Sequence, residues 1–542
     1  MEGRGMFRDS FDYIVVGAGS AGCAIANRLS ADPACAVLLV ESGPRDGSWK
    51  LRMPIAARGV FRGATPFAVE YLTEAQPHLG GRRIAHPRGR VLGGSSSING
   101  MVFATGHPGD YDDWAANGAK GWRFEDVAPV FKRLENFHGP ATALRGREGP
   151  VHVHPAGPLG ELARAFLQAG REAGHPFAED INGASREGFC VFDINVNKGT
   201  RASAAQAYLD PVRARGNLSV LTGALTTRIA ITKGRVAGIE VAIGGETRLL
   251  AARREVVVCG GVFGSPQLLM LSGIGPADML ARIGIAPTHD LPGVGENLHD
   301  HLHIGLQFET PLPVAYNALM VPHRMLRIGA EWFLFKRGLA AKPVLQTGAF
   351  LRSRPELTRP DAQFHFFPVL MRDGAPVAGC HGYKVIAEAS RPKSRGTLRL
   401  RSSDPAQAPV IDPAYLSNED DRVVLRRAFE MAMDTMTRPA FASYRARLVE
   451  PTAIPRSPAE LDAYIARAAS TSYHPCGTCR MGEDAGAVVD SRLRVRGIDA
   501  LRVADASIMP TIASSNLNAP TMMIGERAAD FILGTRNAGG PA

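Results

Sequence analysis

Two stretches of the chain hold residue types whose spacing could support redox chemistry. Gly17-Ala18-Gly19-Ser20-Ala21-Gly22 has the G-x-G-x-x-G spacing. Gly17 permits a tight turn, Gly19 lets backbone approach a pyrophosphate, and Gly22 lets a helix pack closely on a strand. Ser20 and Ala21 open that helix, whose free N–H groups attract phosphate. Glu41, followed by Ser42, ends the next apolar run and can accept hydrogen bonds from a ribose. The turn fits a dinucleotide without distinguishing NAD from FAD; the plainer alternative is a glycine turn in an ordinary α/β domain. The second stretch, Ser472 to Gly482, holds His474 beside Cys476-Gly477-Thr478-Cys479. An imidazole titrates near neutrality and can move a proton, although most of the 15 histidines must be structural. The C-x-x-C spacing suits a dithiol or a zinc site, but it lacks a second cysteine pair and a thioredoxin-like βα turn. His299, His301 and His303 alternate as strand residues facing one way do. No metal is assigned to either group.

The elements that must position these residues can be read from periodicity. Tyr13–Val16 and Val37–Val40 are buried strands flanking a helix from Cys23 to Ala31. Leu79 to Ser97 reads as loop. Leu218–Leu221, Arg228–Thr232, Arg235–Val241 and Thr247–Leu250 read as short antiparallel strands with turns at Lys233-Gly234 and Gly244-Gly245. Glu255–Val258 is a further strand, followed by a helix from Ser265 to Leu271. Between about 300 and 460, strands (Gln363–Phe367, Lys384–Ala387, Thr397–Leu400) mix with helices (Asp420–Thr437, Pro458–Ala469). A strand at Leu501–Val503 and a helix from about Thr521 to Leu533 close the chain.

Four further segments resemble the glucose–methanol–choline (GMC) oxidoreductase family. Gly89 to Val102 (Gly-Arg-Val-Leu-Gly-Gly-Ser-Ser-Ser-Ile-Asn-Gly-Met-Val) resembles its flavin-contacting signature, and Gly264 to Pro276 its second signature. Ser472 to Gly482 is similar to its active-site histidine segment. Leu501 to Pro510, with Asn516-Leu517-Asn518-Ala519-Pro520-Thr521, is similar to its C-terminal flavin segment. With the glycine turn these matches span residues 11 to 533, and within the family the chain resembles the choline-dehydrogenase-like alcohol oxidoreductases.

The resemblance implies an α/β chain with a Rossmann-like FAD-binding domain and an α+β substrate domain built on a β-sheet with flanking helices. The expected division is 1–155, 201–300 and 461–542 for FAD binding, with 156–200 and 301–460 for substrate. FAD contacts are implied at Gly17, Gly19, Ser20, Ala21, Gly22, Glu41, Ser42, Arg90, Val91, Gly93, Gly94, Ser95, Asn99, Gly100, Met101, Val102, Thr226, Cys259, Asp505, Ala506, Asn518, Pro520 and Thr521. Ile98 stands where some relatives carry a histidine bonded to the flavin, so the FAD is expected to be non-covalent. Val262 replaces a small residue usual in the second signature. The implied reaction is oxidation of a primary alcohol to an aldehyde: His474 assists proton removal while hydride passes to flavin N5, and Asn518 hydrogen-bonds the substrate oxygen. Asn518 is also a good helix cap before Pro520. The alternatives are a light-driven fatty-acid decarboxylase, in which a cysteine is expected near Ser390 and no histidine at position 474, and a non-catalytic or NAD-using dinucleotide protein. The electron acceptor is O₂ or a quinone or protein carrier. Leu345-Gln346-Thr347, Phe364–Phe367 and Tyr473, the expected cavity lining, are partly aromatic. They suit a choline-like cation or an aryl or aliphatic alcohol. Without a clear acidic partner, the reading leans away from choline.

Composition bounds the rest. The 542 residues, 45% hydrophobic and 21% charged, describe an ordinary globular chain. A net charge of +10 carried mostly by scattered arginines forms no aromatic-interleaved stripe, so no nucleic-acid partner is expected. Attraction to an anionic membrane stays open. Seven dispersed cysteines suggest a reducing compartment. Met1 to Ser10 is polar and runs into the first strand, so no secretory leader is expected. There is no apolar run of about 18 residues. The expected location is cytoplasmic or peripheral to the inner membrane, and oligomeric state is unread.

Overall fold

The computed structural model describes residues 8–57, 59, 65–372 and 374–538; most of the polar Met1–Ser10 segment lies outside them. Two seven-stranded sheets dominate. In the first, the strand order is Leu218–Thr222, Val37–Glu41, Ser10–Val16, Glu246–Val258, Arg235–Ile243, Leu225–Thr232, with Leu501–Val503 also paired to Glu246–Val258. Five members run parallel: Val15 pairs Leu39 and Val257, Leu39 pairs Val220, and Val257 pairs Arg502. These strands read as unbroken apolar runs because helices cover the sheet. Helix Ser20–Leu29 buries Cys23, Ala24, Ile25, Ala26 and Leu29 against this core. The sheet therefore draws on the beginning, centre and end of the chain.

One boundary differs from expectation. Thr247–Leu250 and Glu255–Val258 belong to one strand, Glu246–Val258. The joining Ala251-Ala252-Arg253-Arg254 contains no turn former. Ser10 and Phe11 pair with Ala251 and Ala252, and an irregularity between Phe11 and Tyr13 absorbs the change of register. Arg253 and Arg254 meet the carboxylate of Asp12 at 3.0 and 3.4 Å. The expected turns at Lys233-Gly234 and Gly244-Gly245 are present, all four residues having positive φ.

The second sheet has the order Arg447–Glu450, Leu302–Glu309, Gly382–Ala389, Ala362–Phe367, Thr347–Leu351, Gly188–Val191, with Ser470–Thr471 also paired to Leu302–Glu309. All its pairings are antiparallel. Period-two alternation divides its faces. Leu302, Ile304, Leu306, Phe364, Phe366, Val385 and Ala387 face a core closed by helices Glu161–Glu172, Glu419–Thr437 and Pro458–Ala468. The intervening residues, among them His303, His365, Ile386 and Glu388, fall on the other face. Register sets His303 opposite Glu388 and His365 opposite Ile386. That face closes over the carboxyl ends of the first sheet's parallel strands, where ligands of such sheets bind. A helix not evident in the sequence, Pro322–Phe335, borders the same region.

Candidate active site

A cavity of about 1110 Å³ runs from the glycine turn to the histidines of the second sheet. At its first end, Gly17 has φ +104°, and a Cβ there would stand 2.3 Å from the Cys259 carbonyl oxygen. A Cβ on Gly22 would stand 1.9 Å from the Gly17 oxygen. Gly19 differs: it lines the cavity, and a Cβ there would meet no protein atom within 4 Å. The bare Cα therefore faces open space that a side chain would fill. Gly94, from the loop after strand Ala85–Gly89, packs directly on Gly19, leaving 2.8 Å between a Gly94 Cβ and the Gly19 Cα. Glu41 accepts hydrogen bonds from the amides of Ala18 (3.1 Å) and Gly43 (2.8 Å), and burial pushes its carboxyl up to about 7. Thr226 also lines this part, and its hydroxyl has no protein partner among the described residues. Asp505 accepts from Gly261 N at 2.8 Å and Ser507 N at 2.8 Å, tying the end of strand Leu501–Val503 to helix Gly261–Leu271. Asn99 is held from behind by Arg201, whose buried guanidinium donates to its side-chain oxygen at 2.7 Å. A bare glycine, an orphaned hydroxyl and a ribose-height carboxyl fit an FAD-sized dinucleotide.

Nearly all the residues expected to hold the dinucleotide line this cavity: Gly17, Gly19, Ser20, Ala21, Glu41, Ser42, Arg90, Gly94, Ser95, Asn99, Gly100, Met101, Val102, Thr226, Cys259, Asp505, Ala506, Asn518 and Thr521. Four do not. Gly22 is closed off by the Gly17 carbonyl, Gly93 by the Ser97 and Ser96 hydroxyls, and Val91 is buried with Leu51 and Ile98. Pro520 is buried in the first turn of helix Asn518–Ala538. These four shape the wall from behind.

At the other end, His474 follows Tyr473, whose φ of 66° is rare for a bulky residue. The His474 amide donates to Asp300 Oδ1 at 2.9 Å. Asp300 is buried, also accepts from Tyr415 and Thr471 hydroxyls at 2.5 Å each, and is pushed up to about 6 by burial. The tautomers follow from the partners. His301 Nε2 lies 3.0 Å from the Ser390 carbonyl, which can only accept, so Nε2 carries the proton. Burial holds His301 down to about 3, so the ring is neutral and its Nδ1 accepts. His474 Nδ1, 3.0 Å away, is then the donor. Burial, aided by repulsion from His301, also holds His474 well below the usual imidazole range. Its Nε2 is left with a lone pair, facing Asn516 Nδ2 at 3.1 Å. Gln363 Nε2 donates to Asn516 Oδ1 at 3.2 Å, which fixes that amide's orientation.

This corrects the expected partner. Asn518 is not beside His474: its Oδ1 accepts from Ser20 Oγ at 2.8 Å, joining helix Asn518–Ala538 to the glycine-turn helix. Asn516, two residues earlier and still outside the helix, meets the imidazole. Sequence reasoning quoted both asparagines and gave the role to Asn518. It also missed Asp300, Gln363 and Glu388, the last two signalled only by alternation along strands; of the expected lining Phe364–Phe367, His365 and Phe367 reach the cavity while Phe364 and Phe366 face the core. Glu388 is fully buried, 3.6 Å from His301 Nδ1 and 3.9 Å from His365 Nδ1. Neither of its oxygens reaches a normal hydrogen-bond partner among the described residues, and burial pushes it up to about 8.

The three alternating histidines serve different partners. His299 Nε2 lies 3.4 Å from Cys476 Sγ, His301 meets His474, and His303 Nδ1 lies 3.0 Å from Ser472 Oγ. Donor atoms of His301, Glu388 and His474 fall within 4.8 Å of one another, a spacing that could hold a cation. The 3.0 Å imidazole contact inside that group is a hydrogen-bond distance. Cys476 and Cys479 are buried unpaired thiols, both pushed up by burial.

Comparison with known proteins agrees with the geometry. The GMC oxidoreductase family models match residues 11–303 and 392–525. An oxygen-dependent choline dehydrogenase from Brucella anthropi is 42% identical over 526 residues, covering 96% of this chain and 95% of that protein. One from Rhizobium etli is 43% identical over 531 residues, with 96% and 95% covered. Among solved structures, pyridoxine 4-oxidase from Mesorbium loti superposes with a TM-score of 0.87 at 33% identity, covering 96% of this chain and 98% of that one. Formate oxidase gives 0.92 at 25% identity, covering 98% and 100%.

Proposed function

This chain belongs to the GMC oxidoreductase family of FAD enzymes acting on CH–OH donors, and on that premise we propose that it oxidises a primary alcohol to the aldehyde, with His474 Nε2 as the proton acceptor. The observation that carries this reading is the hydrogen-bond chain from the Ser390 carbonyl through His301 to His474, which makes His474 Nε2 an acceptor, met by Asn516 Nδ2, at the end of the cavity. Bound FAD supplies the acceptor for the hydride that leaves the alcohol's α-carbon. A hydroxyl placed between His474 Nε2 and Asn516 Nδ2 gives its proton to the imidazole, while the amide holds the oxygen on which negative charge gathers. The His301 lone pair supports the proton that His474 carries on Nδ1 throughout.

The residues at the dinucleotide end favour a non-covalent flavin, since Ile98 offers no nucleophile. FAD held there would supply a two-electron carrier between the alcohol and O₂ or a quinone or protein carrier. Choline is the substrate named for the curated relatives. Among the described residues, the carboxyls lining the cavity are Glu41 and Asp505, each occupied by backbone amides near the glycine turn. The region by His474 is lined instead by His303, His365, Leu345, Phe367, Val369 and Ile386. An uncharged aryl or aliphatic alcohol suits those walls better than a quaternary ammonium. Turnover across a panel containing choline, benzyl alcohol and n-alkanols tests this: the neutral alcohols should give the higher kcat/KM, and preference for choline would reject the substrate class.

A further inference from the structure

Six large apolar side chains stand exposed between positions 321 and 335: Val321, Met325, Leu326, Phe333, Leu334 and Phe335. Leu326 is 75% and Leu334 72% exposed. Trp49 extends the patch, its ring centroid 5.4 Å from that of Phe333. Helix Pro322–Phe335 is held to the body on its opposite side by Trp332, which is buried and donates from its indole nitrogen to Gly199 O at 2.8 Å. The exposed face is therefore a fixed surface, and such a patch marks an interaction site.

Its charges point to the partner. Arg324, Arg327, Lys336 and Arg337 surround the apolar side chains and are exposed. The helix's single acid, Glu331, lies 3.5 Å from Arg337. Apolar side chains framed by cations are the composition of a helix lying in the headgroup region of an anionic bilayer. A two-fold contact with a second copy would set the same cations against one another. No described helix is long and apolar enough to cross a membrane, so this one would lie along the surface.

We propose that helix Pro322–Phe335, with Trp49, docks the enzyme on an anionic lipid surface. Met325, Ile328 and Phe333 of this helix also line the active-site cavity. Docking therefore presents that wall to the bilayer, and, resting on the reaction proposed above, the alcohol admitted there is one that partitions into lipid.

Flotation of the FAD-loaded enzyme with phosphatidylcholine and with phosphatidylcholine–phosphatidylglycerol vesicles tests the surface without reference to catalysis. Wild type should float with the anionic vesicles and remain below with the neutral ones. Leu326→Asp/Leu334→Asp, at positions that do not line the cavity, should bind about tenfold or more weakly while keeping FAD and turnover of a short water-soluble alcohol. Wild type failing to float, or the double variant floating equally, overturns the proposal. So does a stable oligomer that these substitutions split while vesicle binding is absent, because a second copy then covers the patch. Vesicle binding without turnover of any alcohol leaves the docking surface standing and rejects the reaction.

Discussion

At the scale of single residues, the acceptor state of His474 Nε2 is set by atoms two partners away. The Ser390 carbonyl fixes the His301 proton, and His301 in turn fixes that of His474. His474→Ala should retain FAD but lose about 10²- to 10⁴-fold in flavin reduction by substrate, the usual range for a positioned base. Asn516→Ala should cost about tenfold in the same step, the worth of one hydrogen bond to a developing charge. Asn518→Ala should act on FAD retention instead, because its amide joins Ser20. Equal effects of the two asparagine substitutions on flavin reduction would contradict this division.

Glu388 gives a pH prediction. Its carboxyl is raised from 4.5 to about 8 by burial, so the folded state holds its proton more tightly than the unfolded chain. The resulting stabilisation is complete below 4.5 and is lost as pH rises through about 8. Wild-type Tm should therefore fall more steeply than that of Glu388→Gln across this interval. Parallel curves in a thermal melt series would show that the carboxyl does not titrate in that window.

Among elements, the glycine turn separates packing from binding. A methyl on Gly17 meets the Cys259 carbonyl in a left-handed backbone, whereas one on Gly19 meets only the open cavity. Gly17→Ala should lower Tm of the apoprotein, while Gly19→Ala should leave apoprotein Tm unchanged and weaken FAD about tenfold or more. Flavin release and apoprotein melting measure the two separately.

This turn was legible in the sequence because strand, turn, helix and acid are contiguous. The fused strand Glu246–Val258 was less so, since its middle is held extended by pairing with Ser10 and Phe11 on one side and Gly238 on the other. Helix Pro322–Phe335 was not legible, because its apolar residues form no single stripe. The Asn516–His474 contact depends on where helix Asn518–Ala538 begins, a boundary that local sequence defines poorly.

For the whole molecule, the active site is a junction of two sheets whose residues are far apart in the chain. The resemblance carried His474 across that distance because its motif is local. Gln363, His365 and Glu388 come from strands of the second sheet, His301 stands just before strand Leu302–Glu309, and they converge through antiparallel register. Their sequence signal is alternation alone, which says which face they share and not what they meet.

Proton acceptance by His474 during hydride loss is the central step. Anaerobic mixing of the FAD-loaded enzyme with a reactive primary alcohol, followed by the bleaching of the yellow flavin band, measures that step in isolation. Wild type should bleach rapidly, with the rate sustained below the ordinary imidazole range because burial keeps His474 unprotonated there, and His474→Gln should bleach at least about a hundredfold more slowly. Bleaching of the fully flavinated variant at the wild-type rate would contradict it.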